Sequence, residues 1–281
     1  MKRRKQKPEV LTNLRKMLRD LIFLLCFCIL GYGGYDYYEN QNVNKTLQML
    51  SKAGGYLKEV PDKAGWLADE ANQIFEKISG SYGGTASEFL LDEIPEYSGA
   101  PYVVINNNEP DFSKSDLSSE AFEYYSELDS LGRCGMTKAM ISTEIMPTEE
   151  RGQIGMVKPS GWHTVKYDNV DGKYLYNRCH LIAFELAGEN ANVHNLITGT
   201  RYMNVKGMLP WENRIARYVK KTHDKVFYRV TPVFKGNELV ARGVHMEAKS
   251  VGSNEIRFNI FVYNVQPGIG IDYANGNSWV E

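Results

Sequence analysis

The amino-acid sequence predicts an α+β domain with a central antiparallel sheet. Two observations predict this class: strand-like segments lie on both sides of one long helical segment, and the clearest hairpin pattern follows that helix. The chain has 281 residues, of which 43% are hydrophobic, so it can form one large domain or two small ones. A wholly disordered chain and a collagen-like fibre are excluded.

The amino-terminal residues predict export. Residues 1–20 carry eight basic and two acidic side chains, a net charge of +6, and form the predicted basic cytoplasmic flank. Residues 21–38 begin with an apolar run that is short for a spanning helix and long for the apolar part of a signal peptide. We expect an uncleaved single-pass membrane anchor with the later residues outside the cell. A cleaved signal, which would give a secreted protein, stays open as the alternative.

Two further regions follow the predicted anchor. Residues 39–94 have helix-like spacing interrupted by glycines and proline, which indicates a helical connector. Residues 95–281 are predicted to form the main domain. Its first expected elements are a strand at Pro101–Asn106, a helical piece at Ala121–Leu128, and strands at Ala139–Ile145, Trp162–Tyr167, Tyr174–Asn177 and Asn195–Thr198.

The second half of the main domain has the strongest patterns. A helix is predicted over Tyr202–His223, although Gly207 and Pro210 put its regularity in question. The segments Val226–Phe234 and Leu239–Ala248 flank a short turn and predict a hairpin. Alternation over Ile256–Val265 predicts one more antiparallel strand.

Residues 174–218 contain the side chains that chemistry at a phosphodiester requires. One strand ends in His180, and the following helix contains Asn204 and Glu212. A hairpin followed by a helix can place an imidazole and an amide oxygen on opposite sides of one cleft. The imidazole can deprotonate water, and a hard cation on the amide oxygen can neutralise phosphate charge.

The charge distribution is compatible with a local nucleic-acid site. The whole chain has 33 basic and 34 acidic side chains, which excludes a protein that coats DNA over its whole surface. Residues 201–225 nevertheless have a net charge of +5. If the helix is regular, Arg214, Arg217 and Lys220 face outward and can bind a polyanion. Arg151, in a polar loop, is a further candidate for clamping phosphate, with a solvated surface role as the alternative.

The stretch resembles the DNA/RNA non-specific endonucleases of the ββα-metal, or His-Me finger, superfamily, especially the membrane-anchored nucleases of DNA uptake in Gram-positive bacteria. The family motif Asp-Arg-Gly-His is similar to Asn177-Arg178-Cys179-His180. Asn204 lies nine positions after Asn195, and Glu212 lies eight positions after Asn204, as in the family. The chain departs from the motif because asparagine replaces its aspartate and cysteine replaces its glycine.

The resemblance implies a role for each matching residue. His180 would be the general base, Arg178 a phosphate contact, and Glu212 would hold metal-bound water. Asn204 would bind Mg²⁺, for which Mn²⁺ can substitute. The implied reaction is sequence-non-specific hydrolysis of DNA, with RNA as a second substrate, to 5'-phosphate and 3'-hydroxyl ends. A non-catalytic extracellular DNA receptor and a secreted nuclease toxin stay open as alternatives.

The chain has four cysteines, which fall into two pairs. Cys26 and Cys28 lie in the apolar run, where they are expected to act as small hydrophobic residues. Cys134 and Cys179 lie in the exported part, where an oxidising compartment permits a disulfide. We therefore expect Cys134 and Cys179 to be paired.

Overall fold

The computed structural model describes residue 91, residues 94–118 and residues 120–281. All of them belong to one compact unit that runs from Leu90 to Glu281. The predicted basic flank and anchor, and nearly all of the connector, lie outside the described residues, so these three assignments stay predictions. Within the described part, every helix is too short or too polar to cross a bilayer.

Ten strands and two α-helices make up the described fold. The strands are β1 (Tyr102–Val104), β2 (Phe122–Tyr125), β3 (Thr137–Ile141), β4 (Tyr176–His180), β5 (Leu196–Thr200), β6 (Val226–Val233), β7 (Gly243–Ser250), β8 (Arg257–Tyr263), β9 (Ile269–Ile271) and β10 (Ser278–Val280). The α-helices are α1 (Phe184–Ala187) and α2 (Leu209–Thr222).

A six-stranded antiparallel sheet forms the centre of the domain, in the order β1-β8-β7-β6-β3-β2. The predicted hairpin is present, because Val226 pairs with Ser250 and Val233 pairs with Gly243. Strands β4 and β5 form a separate antiparallel hairpin, and β9 and β10 form another. The predicted α+β class with a central antiparallel sheet is therefore confirmed.

The long helix after β5 begins with a wide turn. A π-helical segment, Met203–Met208, runs directly into α2, and the Leu209 amide donates to the Asn204 carbonyl oxygen five residues earlier. Pro210 has no amide hydrogen, so it cannot make the regular α-helical bond to Lys206. The irregularity expected near Gly207 and Pro210 is thus present as a π-turn, the name used below for Met203–Met208.

The two faces of the central sheet have different covers. Ile215 and Val219 of α2 share one apolar cluster with Tyr228, Met246 and Phe258 of the sheet. On the other face, Val233 and Phe261 pack with residues ahead of β1. Burial of the apolar stripe of α2 fixes the helix against the sheet, and the β4–β5 hairpin lies in the same cluster through Cys179 and Ile197.

Two local predictions were wrong. The segment Ala121–Leu128 contains the edge strand β2 rather than a helical piece. Its aromatic residues favour a strand, and Phe122 packs against Phe227 at 6.1 Å between ring centroids. The segment Trp162–Tyr167 forms only one isolated bridge, between Lys166 and Tyr174, because its apolar side chains fill a small separate cluster.

Candidate active site

The β4–β5 hairpin and the helix after it bring the predicted site residues to one side of the sheet. In the hairpin His180 lies opposite Leu196, and Arg178 lies opposite Thr198. Side chains alternate along a strand, so Arg178 and His180 share one face while Cys179 faces the core. The arrangement is two strands followed by a helix, which is the order that the sequence predicted.

Two contacts define the protonation state of His180. Its Nε2 atom lies 2.7 Å from the Asn190 carbonyl oxygen, which can only accept, so Nε2 carries the proton. Its Nδ1 atom lies 3.3 Å from Nη2 of Arg151, which can only donate, so Nδ1 holds the lone pair. Both contacts select the same neutral tautomer, with Nδ1 as the basic atom.

The surroundings of His180 keep its ring neutral. Burial lowers the pKa of His180 to about 4, and the nearby Arg151 charge acts in the same direction. The hydrogen bond to the Asn190 carbonyl opposes this shift. The imidazole is therefore an unprotonated base at neutral pH.

Arg151, which the sequence analysis named as a candidate phosphate clamp, lies beside His180. It is an exposed loop residue whose guanidinium reaches His180, and its charge opposes the rise that burial causes in the pKa of Glu212. The adjacent Gly152 packs closely on Asn190, because a Cβ at Gly152 would lie 2.6 Å from Nδ2 of that residue. The loop at Gly152 and the His180 ring therefore both contact Asn190.

Glu212 is a buried carboxyl group in the first turn of α2. Its exposed fraction is 7%, and within the described residues no hydrogen bond or ion pair reaches its carboxyl oxygens. Burial raises the pKa of Glu212 to about 8; the Arg151 charge opposes the shift and the Glu185 charge adds to it. A buried acid in this state is poised to accept a cationic or hydrogen-bonding partner.

Asn204 lies at the second position of the π-turn and is partly buried. Its backbone carbonyl accepts from Leu209, but its side-chain amide makes no hydrogen bond with any residue that the structure describes. The amide oxygen is therefore available to a ligand.

Arg178 contacts a loop instead of extending into the cleft. Its Nε donates to the Val157 carbonyl, and its Nη2 donates to the Gly155 carbonyl over 2.8 Å. The guanidinium also stacks on Trp162, 3.9 Å from the ring centroid. Arg178 holds the loop over 155–157, and a phosphate contact by this residue stays a prediction.

The basic face predicted on the helix is only partly available for binding. Nη2 of Arg214 donates to the Glu255 carbonyl at 2.5 Å, and Nζ of Lys220 is paired with Glu185 at 2.7 Å. Arg217 is exposed, with no ion pair in the described part of the chain. Exposed pairs of this kind are weak, so an incoming phosphate can replace the partner of Lys220.

Comparison with known proteins identifies the family. Residues 113–252 match the model of the DNA/RNA non-specific endonuclease family. The chain carries a DNA/RNA non-specific endonuclease domain. The endonuclease domain includes the β4–β5 hairpin, the π-turn and α2, so the matched region contains every predicted site residue.

Known relatives agree with this assignment. The endonuclease domain is similar to a curated deoxyribonuclease from Streptococcus dysgalactiae subsp. equisimilis, with 34% identity over 113 residues that cover 38% of this chain and 34% of that protein. The chain thus spans about a third of the length of that relative.

Two solved structures have the same fold. NucA from Streptococcus agalactiae with magnesium ion bound has 26% identity and a TM-score of 0.59, covering 68% of this chain and 92% of NucA. NucA with no metal bound has 27% identity with the same TM-score and coverage.

The side chains of the endonuclease domain fit a hydrated magnesium ion. Among the described residues no three His, Cys, Asp or Glu side chains cluster as a metal site. Mg²⁺ keeps several waters and accepts a few oxygen ligands, so the unpartnered Asn204 amide suits it. The buried Glu212 carboxyl and the buried Tyr228 hydroxyl also lack hydrogen-bond partners in the described region. These groups could accept or donate to metal-bound water.

The predicted Cys134–Cys179 disulfide was wrong. Both cysteines are free and buried. The Cys134 thiol donates to the Leu196 carbonyl at 3.2 Å, whereas Cys179 packs against Gly199 at the other end of β5. Burial raises the pKa of both thiols, to about 12 for Cys134, so both stay protonated in the folded domain at neutral pH.

Asn190 is a site residue that the sequence did not reveal. It acts through its backbone carbonyl on His180, a function open to any residue type, and no side-chain pattern could have indicated it. Trp162 was missed for a related reason, because its stacking on Arg178 depends on the loop path. The asparagine at 177, in place of the family aspartate, makes no side-chain hydrogen bond with the described residues, and nothing in the structure explains that replacement.

Proposed function

We propose that this protein is a metal-dependent, sequence-non-specific endonuclease that hydrolyses phosphodiester bonds of DNA, with RNA as a second substrate. The observation that carries the proposal is the pair formed by His180 and Arg151. The neutral imidazole can accept a proton from a water nucleophile, and the guanidinium beside it can bind a phosphate group.

The residues act in a simple order. Arg151 binds the scissile phosphate and leaves Nδ1 of His180, which then faces the attacking water. Nδ1 accepts the proton of that water, while the hydrogen bond from Nε2 to the Asn190 carbonyl stabilises the resulting imidazolium. The water oxygen bonds to phosphorus as the bond from phosphorus to the 3'-oxygen breaks, and the 3'-oxygen takes a proton from solvent. The products therefore carry a 5'-phosphate and a 3'-hydroxyl group.

Asn204 would hold the metal ion, and Glu212 would orient water bound to it. When bound, Mg²⁺ supplies charge neutralisation at the phosphate and at the leaving oxygen. The NucA structure described as having a magnesium ion bound supports the choice of metal, and the deoxyribonuclease relative supports DNA as substrate. We expect Mn²⁺ to substitute, because it accepts the same oxygen ligands.

Recognition of DNA would depend on its backbone. Arg151, Arg217 and Lys220 are suited to phosphate oxygens, and contacts of that kind carry no base information. Little sequence preference is therefore expected.

The proposed location is the outer side of the cell membrane. It is supported by the basic residues 1–20 and the apolar run within 21–38, which favour a single-pass anchor with the catalytic domain outside. Cleavage after that run would give a secreted enzyme with the same chemistry.

Digestion of supercoiled plasmid by the purified full chain tests the proposal. We expect nicking and degradation with Mg²⁺, loss of activity with EDTA, and a fall of about 1,000-fold in His180→Ala. His163→Ala is the matched control, because His163 is an exposed histidine bonded to the Asn275 carbonyl. DNA binding without cleavage in Mg²⁺ or Mn²⁺ would instead favour the receptor, and a parallel RNA digest gives the substrate preference.

A further inference from the structure

The π-turn changes the angular relation between Asn204 and Glu212. These residues are eight positions apart, and in an unbroken α-helix that spacing leaves two side chains about 80° apart around the axis. A π-turn accommodates one extra residue in an α-helix, as the bond from the Leu209 amide to the Asn204 carbonyl indicates. The rotation from Asn204 to Glu212 then equals that of about seven α-helical positions, which is almost two full turns.

The consequence is that Asn204 and Glu212 lie on the same face of the helix. Both side chains lack hydrogen-bond partners among the described residues, and Glu212 has only 7% of its surface exposed. Two unpartnered oxygen-bearing groups on one face can act on one hydrated cation. A regular helix of the same sequence would separate them.

The π-turn lies close against the central sheet at Gly207. Gly207 lies so near to Val262 of β8 that a Cβ at Gly207 would be 2.2 Å from Cγ1 of the valine. Val262 is fully buried and paired with Val244 and Tyr102, so it cannot move aside easily. Only glycine allows this approach.

We propose that Gly207 is a positioning residue, whose lack of a side chain lets the π-turn lie against Val262 so that Asn204 and Glu212 face the same metal ion. The inference rests on the proposed function for the identity of the metal. It adds that the register of the helix, and not the identity of Asn204 and Glu212 alone, determines metal affinity.

Metal binding without DNA provides the direct test. Calorimetric titration of Mg²⁺ into the full chain should give a Kd about tenfold higher for Gly207→Ala than for the wild type. Val262→Ala should bind Mg²⁺ normally despite a lower melting temperature, because it only opens a cavity. The double variant should return to within about threefold of the wild-type Kd, since the valine methyl group that obstructs the alanine is gone.

The outcomes separate the two proposals. Normal Mg²⁺ affinity in Gly207→Ala, or a double variant as weak as Gly207→Ala, would overturn the positioning role. The double variant keeps the alanine, so recovery of Mg²⁺ affinity in it would exclude helix propensity as the cause of the loss. Failure of the wild type to cleave plasmid, with metal binding behaving as expected, would contradict the endonuclease proposal alone.

If Gly207→Ala does not fold, a second pair of variants tests the effect of helix register on metal affinity. Deletion of Lys206, an exposed residue of the π-turn, places Asn204 and Glu212 seven α-helical positions apart and should preserve Mg²⁺ affinity. Insertion of one alanine after Lys206 should weaken it about tenfold. Equal losses in the deletion and the insertion would contradict the register argument.

Discussion

The Arg151 guanidinium donates to Nδ1 of His180 over 3.3 Å. A permanent positive charge therefore lies next to the atom that would accept a proton from water. This contact joins residues 29 positions apart in sequence. It adds to the effect of burial, which lowers the pKa of His180, and it places the guanidinium beside the proposed base. Substrate binding would therefore move Arg151 away from Nδ1 and make the base accessible in the same step.

Replacement of Arg151 should reduce turnover strongly. We expect Arg151→Ala to lower kcat/KM on plasmid DNA about 100-fold, because the variant loses a preorganised donor to the developing phosphate charge. Arg151→Lys should recover part of the loss, since lysine keeps the charge without the forked geometry. Lys158→Ala, at an exposed position of the same loop, is the control. An unchanged rate in Arg151→Ala would remove this arginine from the mechanism.

The pH dependence of cleavage should reflect the low pKa of His180. The base must be unprotonated, and its pKa lies near 4 rather than near its usual value of 6.5, so kcat/KM should stay level as the pH falls from 7 to 5.5. Arg151→Ala removes one cause of the depression and should move the acid limb to higher pH. Arg217→Ala should leave the limb in place. A wild-type rate that halves near pH 6.5 would contradict the burial argument.

The buried carboxyl of Glu212 should make the metal-free protein less stable as pH rises. The folded state keeps a proton up to a pKa of about 8, whereas an unfolded glutamate releases it near 4.5, so ionisation opposes folding across that interval. In EDTA, the free energy of unfolding of Glu212→Gln should gain at least about 1 kcal/mol over the wild type between pH 5 and pH 8. Glu149→Gln, at an exposed loop position, should follow the wild type. Parallel curves for Glu212→Gln and the wild type would show that the carboxyl is ionised already.

The sequence predicted the parts of the site that depend on local spacing. His180 ends a strand, and Asn204 and Glu212 lie in the following helix, because alternation and helical periodicity fix which side chains can meet. The same patterns placed the hairpin of β6 and β7. These patterns failed at β2, which pairs with β3 as an edge strand. Its Phe122 packs on Phe227, a contact between distant segments of the chain.

Long-range contacts set the remainder of the site, and sequence patterns do not record them. The donors of Arg178 reach two backbone carbonyls of the loop over 155–157, a contact that no sequence pattern indicates, and its phosphate contact stays a prediction. Asn190 acts through its backbone. The alignment of Asn204 with Glu212 depends on a π-turn, and that turn fits against the sheet because Gly207 has no side chain.

The side chain of Cys179 fills space that a side chain at position 199 would need, so the effects of substitutions at these two positions should depend on each other. A Cβ at Gly199 would lie 2.4 Å from Sγ of Cys179 and 2.4 Å from Cε of Met203, so Gly199→Ala should cost about 1–3 kcal/mol of stability through overpacking. Cys179→Ala removes the obstructing sulfur. The double variant should lose less stability than the sum of the two single variants, by at least about 0.5 kcal/mol in denaturant titrations. Additive losses would show that the sulfur is not what Gly199 accommodates. Alkylation of the denatured, non-reduced chain should label Cys134 and Cys179 fully in the same preparations, because neither thiol is bonded.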